Sequence, residues 1–328
     1  MTDSSALARP PAGLRWKALI RQREVAILLL ILIVGAVASV LSPFFLTWAN
    51  LSNVLIACSV EMIVAAGLAI VLISGGIDLS VGSIMGVCAI ALAIVLDAGA
   101  PLWAALSVCL LAGLAFGVAN GTLIAYAGLN PLVLTLATMT IGRSVVFILS
   151  QGYSFASIPQ GFKSAFNATP LFGLPNLVWV SLGVTAALGV LLQRNVWFRR
   201  FYFLGGSEVA AIRAGIDTRR LKFMAYVIAA LLATLAAIVT TARLGSAFPN
   251  TGSGLELRVI TAAVIGGCSI YGGKGTILGA ALGVLLLNLI NNVLVILSLS
   301  VYWQGVAAGL ILILAILTDI ANRRGVRR

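Results

Sequence analysis

Ten mostly apolar stretches divide this chain, at 25–42, 51–73, 79–97, 102–126, 131–150, 175–193, 223–243, 257–272, 276–297 and 302–320. A helix needs roughly 20 such residues to cross a hydrocarbon layer about 30 Å thick. Only structures that pair every backbone amide and carbonyl internally persist in that medium. The runs therefore specify an all-α polytopic membrane protein of about ten transmembrane helices. With 61% of 328 residues apolar and only 9% charged, a water-soluble globule is excluded, because soluble domains carry about 25% charged residues.

The net charge of +12 would suit a nucleic-acid binder if the cations formed one stripe. They cluster instead by membrane side. Of 21 Lys and Arg, five precede residue 24, seven lie between Arg194 and Lys222, and four lie between Arg323 and Arg328. With ten helices and a cytoplasmic N-terminus, these clusters and Lys274 all fall in the cytoplasm, the positive-inside pattern. An odd number of helices would break it. Cytoplasmic termini and a lipid environment follow as expectations, and nucleic acid does not. The resulting division is a cytoplasmic segment 1–24, a membrane domain 25–320 with a cytoplasmic loop 194–222, and a basic tail 321–328. The apolar run Val25–Leu41 continues into Ser42-Pro43-Phe44-Phe45 with no small-residue cleavage site, so it reads as a retained first helix.

Two passages nearly repeat. Gly75-Gly76-Ile77-Asp78-Leu79-Ser80-Val81-Gly82-Ser83-Ile84-Met85-Gly86 is echoed from Gly266-Gly267 through Gly272-Gly273-Lys274-Gly275-Thr276-Ile277-Leu278-Gly279. Each interrupts apolar sequence with polar, glycine-rich backbone, giving helix breaks near 75–82 and 266–275. In transporters, paired interruptions mark the solute pathway. Alternation of sides places both at cytoplasmic helix ends, so Gly75, Gly76, Asp78, Ser80, Gly82, Gly266, Gly267, Gly272, Gly273 and Gly275 are read as an inner gate. Close helix packing by glycine is the competing reading. Asp78 is expected to cap the helix that follows, or to pair with a cytoplasmic cation.

Within the loop 194–222, Ser207-Glu208-Val209-Ala210-Ala211-Ile212-Arg213-Ala214-Gly215 reads as a short helix. Ser207 is its N-cap, Glu208 favours its positive end and Gly215 stops it. Its small residues suit close approach to another protein. The outer stretch 151–174 reads as a docking surface, a lid or a plain connection.

Ionisable groups at membrane depth are costly and usually functional. Glu61 lies roughly 15 Å into its run and Arg143 about 18 Å into its own at 1.5 Å per residue. They are expected to pair near the midplane, as a structural ion pair or as a solute-contacting one. Arg243, Glu256 and Arg258 are placed at the outer rim. Asn288, Asn291 and Asn292 share one helix face and, with Tyr302, Trp303 and Gln304, offer amides and rings for a sugar or for interhelical bonds. The four cysteines sit irregularly in apolar runs and there is no histidine. No metal site, cofactor or catalytic site is expected. Gly-x-x-x-x-Gly-Lys-Ser/Thr is absent, so the chain is not itself an ATPase.

Gly75–Ser83, Asn130–Thr138, Gly205–Ala210, Ala242–Ala247 and Gly266–Thr276 together resemble the permease subunits of bacterial ABC importers for monosaccharides, of the ribose/galactose/xylose type. The resemblance runs from about Ser52 to Asp319. It implies a bacterial inner-membrane permease working beside a second permease subunit, identical or similar. It also implies a cytoplasmic ABC ATPase and a periplasmic sugar-binding protein. The segment matching Ser207, Glu208, Val209, Ala210, Ala211 and Gly215 resembles the helix that docks on the ATPase. This chain carries Val209 where the family usually has alanine, and Cys268 where it has Thr or Ser. A branched-chain amino-acid permease and an ion-coupled secondary transporter are the alternative functions.

Overall fold

The computed structural model describes residues 23–300 and, beyond them, Trp303, Gly305, Val306, Gly309, Leu310 and Ile313. The expected last helix, 302–320, the segment before residue 23 and the basic tail therefore lie outside or largely outside the described residues. The described chain is helical: α1 (Arg23–Leu41), α2 (Trp48–Ile73), α3 (Val81–Asp97), α4 (Leu102–Ala125), α5 (Pro131–Ser150), α6 (Gln160–Asn167), α7 (Asn176–Arg194), α8 (Val196–Gly206), α9 (Glu208–Arg213), α10 (Thr218–Leu244), α11 (Leu255–Ile265) and α12 (Ile277–Ile296). Extended pairing among the described residues is limited to the isolated bridges Phe155–Ala247 and Leu171–Leu174.

Seven of these helices are long and apolar enough to cross a membrane: α1, α2, α4, α5, α7, α10 and α12. Two expected spans come out shorter. α3 has 17 residues. The run 257–272 contracts to the 11-residue α11 because Gly266 and Gly267 end it. Eleven residues reach about 16 Å, half the hydrocarbon thickness.

α2 is the buried axis, with nearly every residue from Cys58 to Ile73 inaccessible. Around it pack α10, α12, α7 and α11, while α3 and α4 lean on α10, α5 lies on α3, and α1 lies on α12. The α4–α10 seam is built on Gly113, Gly117 and Gly121, whose absent side chains admit Thr234, Ala230 and Phe223 of α10. Small residues at every fourth position let two helices approach closely in lipid, where no hydrophobic effect drives them together. Helix starts follow local capping chemistry. Asn130 accepts from the amides of Leu132 and Val133 with Pro131 as the first helical residue, and Asn195 and Asp217 cap α8 and α10 in the same way.

The face carrying α8 and α9, and with them most of the loop's cations, is called the basic face below. On the opposite face the stretch 151–174 contains α6. The Asn167 side chain donates to the carbonyls of Ala242 and Arg243, covering the C-terminal end of α10.

Candidate functional site

At the basic end of α2 the chain turns at Gly75, whose φ of +85° only glycine adopts freely. Asp78 then folds back on its own loop. Its Oδ1 accepts from the Ser80 amide at 2.8 Å and the Ser80 hydroxyl at 2.6 Å. Asn120 of α4 donates to the same hydroxyl at 2.9 Å, and the Tyr226 hydroxyl of α10 donates to the Ile77 carbonyl at 3.3 Å. The expected cap is thus corrected. Asp78 reaches Ser80, the N-cap residue, but no amide of the first turn, and Ser80 makes no side-chain cap bond. The loop is held sideways, by α4 and α10, while Asp78 Oδ2 and Asn120 Oδ1 are buried without a hydrogen-bond partner among the described residues.

The second break is organised differently. Thr276 caps α12 itself, accepting from the Gly279 amide at 2.9 Å, and its hydroxyl donates to Glu24 of α1 at 2.9 Å. The Ser269 amide donates to the Lys274 carbonyl, closing the loop between them. Tyr202 of α8 donates to the Gly275 carbonyl at 2.8 Å, and burial pushes its phenol up to about 12, so it stays a donor. Lys274, with Glu24 and Gly267, lines a hollow of about 240 Å³.

The two breaks touch. The Gly273 amide donates to the Ile73 carbonyl at 2.9 Å. Gly205 lies in the same joint, where a Cβ would strike both the Ile73 carbonyl and the Gly273 amide. Gly272 packs on Gly205 and Gly75, and Gly273 on Gly206. Three backbone segments therefore meet with no side chain between them. Beside the joint opens a cavity of about 510 Å³ lined by Ser74, Gly76, Asn130, Glu208, Lys222 and Tyr226, among others.

α9 follows this joint directly. Ser207 Oγ accepts from the Ala210 amide at 3.3 Å, Gly215 at φ +75° follows the helix, and Glu208 pairs with Lys222 at 2.6 Å. Ala211 is buried, whereas Val209 and Ile212 are 60% and 58% exposed. The exposed apolar pair, not Ala211, is the surface α9 presents.

Deeper in the bundle the expected Glu61–Arg143 pair does not form. Glu61 is held by Arg258 of α11 at 2.7 Å and by the Asn288 amide of α12 at 2.7 Å. Arg143 donates instead to the Thr251 carbonyl at 2.8 Å, and it crowds Gly82 together with Glu256. The cause is the path of residues 245–254. Ala247 is bridged to Phe155 just beyond the end of α5, yet Thr251 meets Arg143, seven residues inside α5. The segment descends about 10 Å into the bundle before α11 begins. Glu256 and Arg258 consequently lie at the depth of Glu61, not at the outer rim; Arg243 alone of that trio stays at the end of α10. Asn292 and Asn50 exchange two hydrogen bonds, and Asn291 is half-buried. Tyr302 and Gln304 lie outside the described residues, and Trp303 is exposed.

Residues 50–316 match a family described as branched-chain amino acid transport system / permease component. The chain belongs to this permease family. It is 36% identical over 302 residues to a probable ABC transporter permease protein, y4mJ, of Sinorhizobium fredii, covering 92% of this chain and 89% of that one. It is 35% identical to the ribose import permease protein RbsC of Escherichia coli, over 92% and 95% of the two chains. It is 33% identical to the autoinducer 2 import system permease protein LsrC of Escherichia coli, over 93% and 90%. No solved structure matches it significantly. Together with the seven apolar helices, these relatives make the permease a multi-pass protein of the bacterial inner membrane.

Sequence reasoning missed the inward path of residues 245–254 and the joint at Gly205. Both left a signal. Phe248-Pro249-Asn250-Thr251-Gly252-Ser253-Gly254 is a turn-rich run directly before a short helix, and Gly205-Gly206 directly precedes the cap Ser207.

Proposed function

We propose that the permease carries a monosaccharide or a related small polyhydroxylated solute into the cytoplasm, powered by a separate ABC ATPase and supplied by a periplasmic binding protein. The observation that carries this reading is the joint in which Gly205 and Gly206, immediately before α9, lie in backbone contact with both helix breaks. A push on α9 would reach Gly75 and Gly272–Gly273 directly through this joint. The breaks act as the inner gate, and Ser207, Glu208, Val209, Ala210, Ala211 and Gly215 form the coupling element, docking through Val209 and Ile212. The basic face is cytoplasmic on this reading. Ten helices with both termini in the cytoplasm account for the placement of the basic clusters, and a second permease subunit completes the path.

The family description names branched-chain amino acids, but the relatives with a named cargo are permeases for ribose and autoinducer 2. That favours the polyhydroxylated solute. The test is reconstitution with the cognate ATPase and binding protein, followed by uptake of labelled ribose, xylose and galactose. ATP-dependent uptake is expected. Val209→Asp with Ile212→Asp should abolish uptake while leaving thermal unfolding of the permease unchanged. Uptake by the permease alone, driven by an ion gradient, would sink the ABC reading.

A further inference from the structure

Charged and irregular structure normally avoids lipid, and here both occur at mid-depth on one stretch of chain. Glu61 stands thirteen residues from the Trp48 end of α2 and twelve from the Ile73 end, roughly 20 Å and 18 Å along the helix. Arg258 meets it at 2.7 Å and therefore lies at the same depth. Its carboxylate partner is buried, yet 42% of the Arg258 side chain remains exposed. Leu257 beside it is 56% exposed, and Ser253 and Gly254, immediately before α11, are exposed as well.

A guanidinium near the bilayer centre faces the bundle interior or water, not acyl chains. Non-helical backbone at that depth is tolerated only inside protein or along a water-filled cavity, and the backbone at Ser253–Gly254 is not inside this protein. Residues 245–254 also take the place of the outer half of a span, leaving α11 to cover the rest, as discontinuous helices do at transport sites.

We propose that Ser253, Leu257 and Arg258 line the solute's path at the middle of the membrane. Arg258, held by Glu61, which Asn288 fixes in turn, presents its outward N–H groups to a neutral polyhydroxylated solute. Glu61 positions the guanidinium and neutralises it, so no uncompensated charge stands in the path. Ser253 adds a hydroxyl, and Leu257 supplies an apolar surface against C–H groups. The proposal rests on the function read above and adds the place where the solute is met.

The test is thiol labelling of the assembled importer in membrane vesicles. Wild-type protein serves as blank, since its four cysteines are buried. Leu257→Cys is expected to react with a charged, water-soluble thiol reagent, to be protected by transported solute, and to lose uptake once modified. Leu32→Cys, 60% exposed halfway along the peripheral α1, should stay unmodified. Ser253→Cys repeats the measurement should the first variant fail to assemble. Three results would overturn the inference: no labelling at either position, labelling that leaves uptake unchanged, or spontaneous cross-linking of two permease copies with no reagent access. In each, uptake by the wild-type complex would leave the functional reading standing. A wild-type complex that imports no polyhydroxylated solute would instead overturn that reading.

Discussion

The two glycine-rich breaks look alike in sequence and are held in different ways. The first, Ser74–Ser80, is tied to two long helices: Asn120 of α4 grips Ser80 and Tyr226 of α10 grips Ile77, around a buried Asp78. The second, Gly266–Thr276, is capped by Thr276, and its ties include Glu24 of α1 and Tyr202 of α8. They meet at one hydrogen bond, Gly273 to Ile73, with Gly205 inserted beside it. Under the proposed function, the shared motif would serve as the fixed jaw in one place and as the jaw tied to the coupling loop in the other. On the proposed gating role the second break is the side expected to move, because Tyr202 ties it to α8, which leads directly into α9.

The largest expected effect comes from removing the space where the jaws meet. Gly205→Val forces a side chain onto two backbone groups, and overpacking of this kind costs about 1–3 kcal/mol or more. Uptake in the reconstituted importer should vanish and the thermal midpoint should fall; wild-type uptake would break the claim that the breaks are joined there.

The next contrast separates the jaws directly. Asp78→Ala strands the amide and hydroxyl of buried Ser80, costing about 1–3 kcal/mol. Thr276→Ala removes a helix cap worth about 1 kcal/mol. Unfolding of the two variants in the same detergent should show the first break as the costlier to disturb, and the reverse order would contradict its role as the fixed side.

A paired tyrosine test sharpens the assignment. Tyr202→Phe and Tyr226→Phe each lose one hydrogen bond of about 1 kcal/mol. Only Tyr202→Phe should raise the ATP consumed per solute imported, because Tyr202, unlike Tyr226, bonds the second break, the side proposed to move. Equal changes in that ratio would remove the distinction. Smallest of all is Lys222→Ala, which breaks a partly exposed ion pair to Glu208. Such pairs contribute about 0–1 kcal/mol, so the midpoint should hardly move at physiological salt; a large drop would mean that this pair, not the Ser207 cap, holds α9.

Much of this arrangement was legible before any coordinates. The α9 cap, with Ser207 before Glu208 and Gly215 after Ala214, is local chemistry within nine residues and needs no tertiary context. Partner choice was not legible. By position along the apolar runs Arg143 is the mid-depth cation and Arg258 a rim residue, yet Glu61 meets Arg258. Which cation reaches a given acid depends on helix rotation and on the depth at which α11 starts, and that depth is set by how residues 245–254 turn inward. Ala211 teaches the same lesson on a smaller scale. It belongs to the short helix as its sequence implies, but only the packing of α9 shows that it faces inward while Val209 and Ile212 face out.

The sequence by itself determined the helical membrane body, the two glycine-rich interruptions and the capped helix in the basic loop. Each follows from run length, backbone hydrogen bonding or capping within a few residues. The tertiary structure alone decided that the interruptions share a joint with Gly205, that α11 begins halfway across the bundle, and that Arg258 stands exposed at that depth. Apolarity reports the medium a segment occupies and how far it can reach. It carries no record of the depth at which the segment begins or of the neighbour its charges will meet.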